Sequence, residues 1–402
     1  MKSWKKILTV AAFALILTIA VRSNAAAAAQ ITGVKQTDAA TGSVKISWDA
    51  ALASERYVIE ISDDMVNWYQ KEDTSSTEER LIGLSAGKTY YVRVTGYKDW
   101  SHLLNTGILV NEASAPVEVV TAPETGNITA TQSEAFTNSF SVQFSGDNNS
   151  GANYYQVYLN DVLVGESASS VVSVSGNFLP GNSYWCETAA CRKSASGFIA
   201  KGNSSYAYYK TLTEKFSKSS FSITAMYWSI DTAYINVVNS GSVDGYQMQF
   251  LNANGKAKKT FTQTSRDFRI DNFLEGTFYQ YRVRTYVNCG SDKAYSEWSD
   301  CRYVGVPKKA TAKKAAAKKE TSVKINWGSV SGAVKYVVKM STSQNSGYKT
   351  VKTTSADKRS ITVKKFKNKK IQKSKKYYIR IYAQSKIGNK VVTTELPWEG
   401  SC

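Results

Sequence analysis

One short pattern occurs four times in this 402-residue chain at nearly constant spacing. In each copy an apolar residue and a polar turn precede a strand-like segment that begins with tyrosine. The tyrosines are 94, 95 and 98 residues apart and are Tyr90, Tyr184, Tyr279 and Tyr377. Because self-similarity at a fixed period marks repeated structural units, this spacing predicts four modules of about 95 residues each.

A second pattern, which precedes each tyrosine, alternates apolar with polar residues. It is clearest at residues 44–48 and 323–327, recurs at 140–144 and is weaker at 233–237. Alternation with a period of two places one set of side chains in a core and the other toward solvent, as in a half-buried β-strand. After the export segment, only the Ala/Lys-rich residues 309–319 show a sustained helical period. The sequence therefore predicts an all-β fold.

The expected core of each module combines the residue that ends the alternating strand with the later tyrosine. These pairs are Trp48 and Tyr90, Phe144 and Tyr184, Val237 and Tyr279, and Trp327 and Tyr377. Together with Leu84 and the Tyr-Tyr-Val-Arg-Val segment at 90–94, this set resembles the fibronectin type III module. The resemblance covers residues 30–402, and it implies four immunoglobulin-like β-sandwich modules that act as spacers or binding surfaces.

Short polar or proline-containing connections divide the chain. The predicted segments are a signal peptide at 1–29 and fibronectin type III-like modules at 30–123, 124–213 (divergent), 214–306 and 307–402 (Lys-rich).

The first 29 residues have the organisation of an export signal. Lys2, Lys5 and Lys6 precede an apolar run at 7–21, and small residues follow at 25–29. The run is shorter than the roughly 20 residues that span a bilayer, which favours a cleaved signal over a membrane anchor. We therefore expect a secreted chain without a transmembrane span in its mature form. With the resemblance, this implies an extracellular or non-covalently surface-associated protein of a Gram-positive, clostridial-type bacterium.

Positive charge is concentrated in the last module. From Tyr303 onward the chain has 24 Lys and Arg against four Asp and Glu, while the net charge of the whole chain is +19. The lysines of this module form two runs, which are Lys308, Lys309, Lys313, Lys314, Lys318 and Lys319, then Lys364, Lys365, Lys367, Lys369, Lys370, Lys373, Lys375 and Lys376. Crowded like charges repel and suit a polyanion. We predict binding to an anionic cell-wall polymer, with a lysine face that only maintains solubility as the alternative. Nucleic acid is not expected, because no base-reading motif is present.

An enzyme is not predicted. The chain has a single histidine, His102, in a loop-like stretch. One histidine excludes a multi-histidine metal site within one chain, and a catalytic triad that uses histidine would have to use His102. We expect no catalytic residues, no metal and no cofactor.

Five cysteines in an exported chain raise the question of disulfides. Cys289 and Cys301 flank what should be a hairpin of module 3, so a bridge between them is predicted, with two free thiols as the alternative. The pairing of Cys186, Cys191 and Cys402 stays open, including an intermolecular bond through Cys402.

Aromatic residues outside the recurring core allow two readings. The Tyr295-Ser-Glu-Trp298-Ser segment resembles the Trp-Ser-x-Trp-Ser box of cytokine-receptor fibronectin modules, which implies stacking on arginines such as Arg282 and Arg284. We interpret it as a structural ladder. Exposed tryptophans can also stack on sugars, or they can cover loops and module junctions; the candidates are Trp68, Trp100 and Trp228.

These observations favour a non-catalytic binding, adhesion and spacer protein at the cell envelope, with an unidentified extracellular protein or glycan as a further partner. The alternatives are a carbohydrate-binding accessory protein for polysaccharide utilisation and a purely structural spacer.

Overall fold

The structure is a computed structural model. It describes residues 28–101, 103–146, 150–226, 229–238, 241–271, 274–316 and 321–402. Most of the predicted signal peptide lies outside these residues, as do His102, Trp228, Lys318 and Lys319. Within the described ranges, no helix is long and apolar enough to cross a membrane.

Modules 1 and 2 are built from antiparallel strands. Module 1 contains Lys35–Ala40 (β1), Ser43–Ser47 (β2), Arg56–Ser62 (β3), Tyr69–Thr74 (β4), Glu78–Ile82 (β5), Thr89–Ser101 (β6), Thr106–Asn111 (β7) and Val117–Val120 (β8). Module 2 contains Thr129–Ala135 (β9), Ser139–Ser145 (β10), Tyr154–Leu159 (β11), Val162–Ser167 (β12), Val171–Ser175 (β13), Ser183–Lys193 (β14) and Ile199–Lys210 (β15).

Modules 3 and 4 continue the same pattern. Module 3 contains a 3-10 turn at Lys218–Ser220, then Phe221–Met226 (β16), Ser229–Val237 (β17), Gly245–Leu251 (β18), Ala257–Gln263 (β19), Asp267–Ile270 (β20), Tyr279–Cys289 (β21), Asp292–Tyr295 (β22) and Arg302–Val304 (β23). Module 4 contains Thr311–Ala316 (β24), Thr321–Asn326 (β25), Lys335–Ser341 (β26), Lys349–Ser355 (β27), Ser360–Val363 (β28), Lys365–Phe366 (β29), Lys369–Lys370 (β30), Tyr378–Ile387 (β31), Lys390–Thr393 (β32) and Trp398–Ser401 (β33).

One strand order recurs four times. Each module has a three-stranded sheet, with the orders β1-β2-β5, β13-β10-β9, β16-β17-β20 and β24-β25-β28. Each also has a larger sheet, with the orders β4-β3-β6-β7, β12-β11-β14-β15, β19-β18-β21-β22 and β27-β26-β31-β32. In modules 1, 3 and 4 a further strand, β8, β23 or β33, pairs with the long central strand. This is the two-sheet order of fibronectin type III-like sandwiches, and it confirms the predicted fold class.

The core of a module lies between its two sheets, as module 1 illustrates. Val44 and Leu81 from the smaller sheet and Ile59 and Val92 from the larger one are completely buried in one cluster. These residues occupy alternate strand positions, so the pleat itself points them inward. Each such side chain contributes about 1.5–3 kcal/mol on burial. Modules 3 and 4 have equivalent clusters.

The expected core residues are buried to different degrees. Two of them are half-buried, Tyr90 and Tyr184, and the other six are buried: Trp48, Phe144, Val237, Tyr279, Trp327 and Tyr377.

Three of the four later tyrosines, those of modules 1, 2 and 4, close a corner of the fold through their hydroxyl groups. The Tyr90 hydroxyl accepts a hydrogen bond from the backbone N–H of Ser85 at 3.0 Å, and Tyr377 accepts one from Gln372 at 3.1 Å. Tyr184 accepts the equivalent bond at 2.6 Å. The donor is five residues upstream each time, which explains why the turn and the tyrosine recur together in the sequence.

The chain divides into two compact units, and the division falls inside module 2. The first unit comprises Met1–Ala130, Gln143–Val172 and Glu187–Ala207; the second comprises Thr131–Val142, Ser173–Cys186 and Tyr208–Cys402. Modules 3 and 4 therefore belong to one unit. The four module boundaries remain a prediction.

Candidate polyanion-binding site in module 4

The second lysine run lies in the connection from β28 to β31. Strands β29 and β30 form a hairpin whose two turn residues, Lys367 and Asn368, have φ of 48° and 62°. These left-handed values are what a two-residue hairpin requires. Phe366 is buried in the core of the module, while its neighbours Lys365 and Lys367 are exposed. The buried ring thus fixes the hairpin and holds ammonium groups in solvent.

The first lysine run meets the second at one point. Lys314 of β24 donates hydrogen bonds from Nζ to the backbone oxygens of Lys373, at 3.2 Å, and Lys375. Its ammonium group also lies 5.7 Å from the ring centroid of Tyr377. Lys314 is therefore a structural residue of the fold. The other described lysines of this run are exposed and are Lys308, Lys309 and Lys313.

A groove of about 740 Å³ is lined by β27, β28 and the start of the β29–β30 hairpin. Strands β27 and β28 are edge strands of the two sheets of module 4. Lysine side chains that line the groove are Lys349, Lys352, Lys358, Lys364, Lys365 and Lys367. None of the described residues that line it is acidic. We call this feature the lysine groove.

The lysine groove and the predicted runs overlap only in part. Lys364, Lys365 and Lys367 belong to both, whereas the later lysines of the second run do not line the groove. Lys349, Lys352 and Lys358 were missed, because single lysines spread over ten residues form no run. Their only sequence signal is the absence of acidic residues between positions 321 and 356.

Two of the four acidic residues of module 4, Glu395 and Glu399, are engaged elsewhere. Glu395 pairs with Arg302 at 2.6 Å, and Glu399 pairs with Arg380 at 2.6 Å. Glu320 lies outside the described residues. Neither of the two described glutamates is available to neutralise the lysine groove.

Asp357 is next to the groove residue Lys358 in sequence but does not line the groove. A hydrogen bond from the Ser355 side chain, followed by one from its own backbone N–H, lowers the pKa of Asp357. The charge of the neighbouring Lys358 also lowers this pKa, so Asp357 partly offsets one lysine at the edge of the groove.

Module 4 is locked to module 3 within their common unit. Glu395 accepts hydrogen bonds from the buried Tyr281 hydroxyl at 3.0 Å and from Arg302 Nε at 2.7 Å. Burial first, and then the charge of Glu395, raise the pKa of Tyr281, which therefore stays protonated. Leu396 is buried in the core cluster of module 3, and Trp398 packs against it. Residues near the end of module 4 thus complete the core of module 3.

The predicted Cys289–Cys301 bridge is wrong, since all five cysteines are free thiols. Cys289 is opposite Asp292 at one end of β21, whereas Arg302, the neighbour of Cys301, is opposite Tyr281 at the other end. The separation along the strand exceeds roughly 20 Å at about 3.3 Å per residue. A disulfide needs Cα atoms within about 7 Å.

The remaining cysteines are also shielded. Cys186 and Cys191 are completely buried on β14, and burial raises the pKa of their thiols to about 11 and about 12. Burial likewise raises the pKa of the half-buried Cys402.

The structural ladder of module 3 is confirmed. Arg284 lies 3.8 Å from the ring centroid of Tyr295 and 4.3 Å from that of Trp298, and Arg282 lies 4.5 Å from Trp298. The Ser299 hydroxyl accepts a hydrogen bond from a backbone N–H of β21 at 3.0 Å. These contacts fasten the segment after β22 onto the sheet.

Two of the three tryptophans suggested as sugar-stacking residues, Trp68 and Trp100, are covered on at least one side. Arg93 lies 4.5 Å from the ring centroid of Trp68, and Tyr97 lies 4.8 Å from that of Trp100. A more exposed aromatic pair, missed in the sequence, is Trp185 and Tyr208, which are 50% and 65% exposed with centroids 4.6 Å apart.

The part of the chain that the structure describes contains no group of three or more His, Cys, Asp and Glu residues that could hold a metal ion.

Comparison with known proteins finds structural likenesses, and two of them are weak matches to fibronectin arrays. No protein-family model matches the chain, and no curated protein matches it. The chicken CNTN1 FN1-FN3 domains are 15% identical, with 69% of this chain and 98% of that chain covered and a TM-score of 0.29. The central fibronectin-III array of RIM-binding protein is 14% identical, with the same coverage and a TM-score of 0.20. The fold assignment rests on the strand order and cores given above.

Proposed function

We propose that this chain is a secreted, non-catalytic binding and spacer protein at a Gram-positive cell envelope, and that module 4 attaches it to an anionic cell-wall polymer. The observation that carries the proposal is the lysine groove. Six lysines line one concave surface, and none of the described residues that line it is acidic.

Such an arrangement has an electrostatic cost in the unbound protein. Like charges gathered on one surface repel each other, and salt screens this repulsion. A polyanion would convert this repulsion into attraction without any rearrangement of the fold. Wall teichoic acids are phosphate-rich polymers of the kind that would do so.

The test is co-sedimentation of the mature chain, residues 30–402, with purified Gram-positive cell walls across a salt series. The comparison protein is a full-length variant in which the lysines of both runs, except the structural Lys314, are changed to Gln. A truncation before module 4 is unsuitable, because Glu395 and Leu396 complete module 3.

We expect the wild-type chain to pellet at low salt and to be released as salt rises, and the variant to remain in solution. Equal pelleting of both proteins, or of neither, would refute attachment through these lysines. Mass spectrometry of protein recovered from the culture medium would test export, since a cleaved signal leaves an N-terminus near residue 30.

A second candidate function is glycan binding, which the exposed Trp185–Tyr208 pair favours. Aromatic faces stack on sugar rings, and such contacts respond little to salt. If Trp185→Ala abolishes binding to a neutral polysaccharide while salt does not, the carbohydrate-binding alternative is supported.

A further inference from the structure

We infer that the lysine groove is a binding site for a single extended strand of a linear phosphodiester polymer. The inference rests on the proposed function and narrows it, since it assigns binding to the groove rather than to the lysine runs as a whole. It also names the ligand chemistry that the groove would accept.

The shape of the groove suits a strand. It runs beside the first four residues of β27, 349–352, which extend roughly 13 Å at about 3.3 Å per residue. Lysines from β27 line one part of it, and lysines from the β29–β30 hairpin line another. A chain laid along this path can bring successive negative groups to successive ammonium groups.

The residue types suit a phosphodiester backbone. Every basic residue that lines the groove is lysine, although Arg359 directly follows Lys358 in the sequence. Arginine binds both carboxylate and phosphate groups through a planar, two-pronged donor, whereas lysine binds phosphate as a compact point charge without a fixed geometry. Hydroxyl groups of Thr350, Ser360 and Thr362 add neutral donors along the same surface. The groove therefore selects a ligand by its density of negative charge and not by the detailed shape of its anionic groups.

A membrane surface fits the groove less well. Anionic lipid headgroups form a nearly flat layer, while these lysines surround a concave channel between two strand edges. A flat layer would reach the rim of the channel but not its length. A flexible polymer can enter it.

Lysines on edge strands also have a protective role, because they prevent edge-to-edge pairing between molecules. That role accounts for Lys349 and Lys352 on the edge strand β27. It does not account for Lys365 and Lys367, which belong to the separate hairpin. A second group of lysines facing the same channel is what binding, and not protection, requires.

The experiment measures binding of a labelled oligothymidylate of about 15 nucleotides, which presents a phosphodiester backbone long enough for one site. The mature full-length chain is compared with a groove variant, Lys352→Gln/Lys358→Gln/Lys365→Gln. The matched control, Lys370→Gln/Lys373→Gln/Lys376→Gln, loses the same charge from the second run outside the groove. Circular dichroism checks that all three proteins are folded.

The salt dependence supplies the expected magnitude. For single strands, each phosphate that the protein neutralises makes the slope of log K against log salt more negative by about 0.7. The groove variant has three fewer lysines, so its slope should be less steep than that of the wild type by about 2. Its affinity should fall roughly tenfold or more at low salt, and the control should change much less. Purified teichoic acid should compete with the labelled strand, and vesicles with anionic lipid should compete poorly.

Three outcomes separate the two proposals. Equal losses in the groove variant and the control would overturn the groove assignment but leave a diffuse polyanion surface. Efficient competition by vesicles, with the groove variant unaffected, would favour a membrane and overturn the inference. Failure of the wild-type chain to bind the strand, teichoic acid and cell walls would refute the proposed function itself, and the lysines would then serve edge protection.

Discussion

The junction between modules 3 and 4 depends on Glu395. Removal of the Glu395 side chain should reduce stability mainly in module 3. Glu395→Ala deletes the partner of Arg302 and the acceptor of the buried Tyr281 hydroxyl. Breaking a fully buried ion pair costs about 3–5 kcal/mol. Here the two side chains keep 19% and 27% exposure, so solvent screening reduces the cost to about 2 kcal/mol. At about 1.4 kcal/mol per factor of ten, this corresponds to roughly 30-fold more frequent opening.

Hydrogen exchange followed by mass spectrometry measures this opening locally, which a global melting curve of a four-module chain does not. We expect faster exchange in β21 and β23 and in β33, with modules 1 and 2 unchanged. The control is Asp300→Ala, which removes the exposed pair with Lys215 and should leave exchange unaltered. The reasoning is refuted if Glu395→Ala accelerates exchange in module 4 alone, or no more than the control does.

Three further predictions concern single side chains. Tyr377→Phe removes the acceptor for the Gln372 N–H and should lower the free energy of unfolding by about 1 kcal/mol, measured with denaturant; no change would exclude a role for this bond. Cys191, whose pKa burial raises to about 12, should resist iodoacetamide at pH 8 until the chain unfolds, as mass spectrometry can show; rapid native labelling would contradict its burial. Hydrogen bonds to the Asp64 carboxylate, the strongest from the Asn67 N–H, lower the pKa of Asp64. The ionised carboxylate therefore stabilises the fold at pH values above the usual pKa of 3.8, and this contribution is lost as the pH falls below that value. The stability difference between Asp64→Ala and wild type should therefore be constant from about pH 7 to 5 and shrink in stronger acid, and a pH-independent difference would exclude the carboxylate.

Most of the fold could be predicted because its information is local. The alternation around Trp48 and Trp327 specifies which face of a strand is buried, and both side chains are buried in the structure. The turn before Tyr90 or Tyr377 has a fixed length because the tyrosine hydroxyl must reach a backbone N–H five residues upstream. Patterns that a single strand or turn can satisfy are visible in sequence.

The cysteine prediction failed because strand register is not local. The spacing of Cys289 and Cys301 suits a simple hairpin, but β22 ends at Tyr295 and the chain then continues to a second pairing, β23, at the far end of β21. The Tyr295–Trp298 ladder packs this continuation onto β21. In this register Cys301 lies far from the position at which a bridge to Cys289 could form.

The lysine groove was only half predictable for a similar reason. Lys364, Lys365 and Lys367 are a run in the sequence, and composition reveals them. Lys349 and Lys352 join them only because β27 and β28 are the edge strands of two different sheets. Sheet order is a property of the whole module, so no window of sequence contains it.

A charge introduced into the groove separates a binding site from a surface that only maintains solubility. Thr362 lines the groove, is exposed and is in register with Lys324, so Thr362→Glu would place a carboxylate among the ammonium groups. Exposed pairs of this kind contribute about 0.2–1 kcal/mol, and relief of lysine repulsion adds to stability in the same direction.

If the groove binds a polyanion, Thr362→Glu should unfold at a higher denaturant concentration and bind cell walls more weakly, whereas Thr362→Gln should change neither property much. Improved stability with reduced function is the expected consequence of adding a carboxylate to a site that binds an anionic ligand. A more stable Thr362→Glu chain that still binds walls like the wild type would show that the wall polymer does not enter the groove. The same lysines would then be explained by edge protection alone.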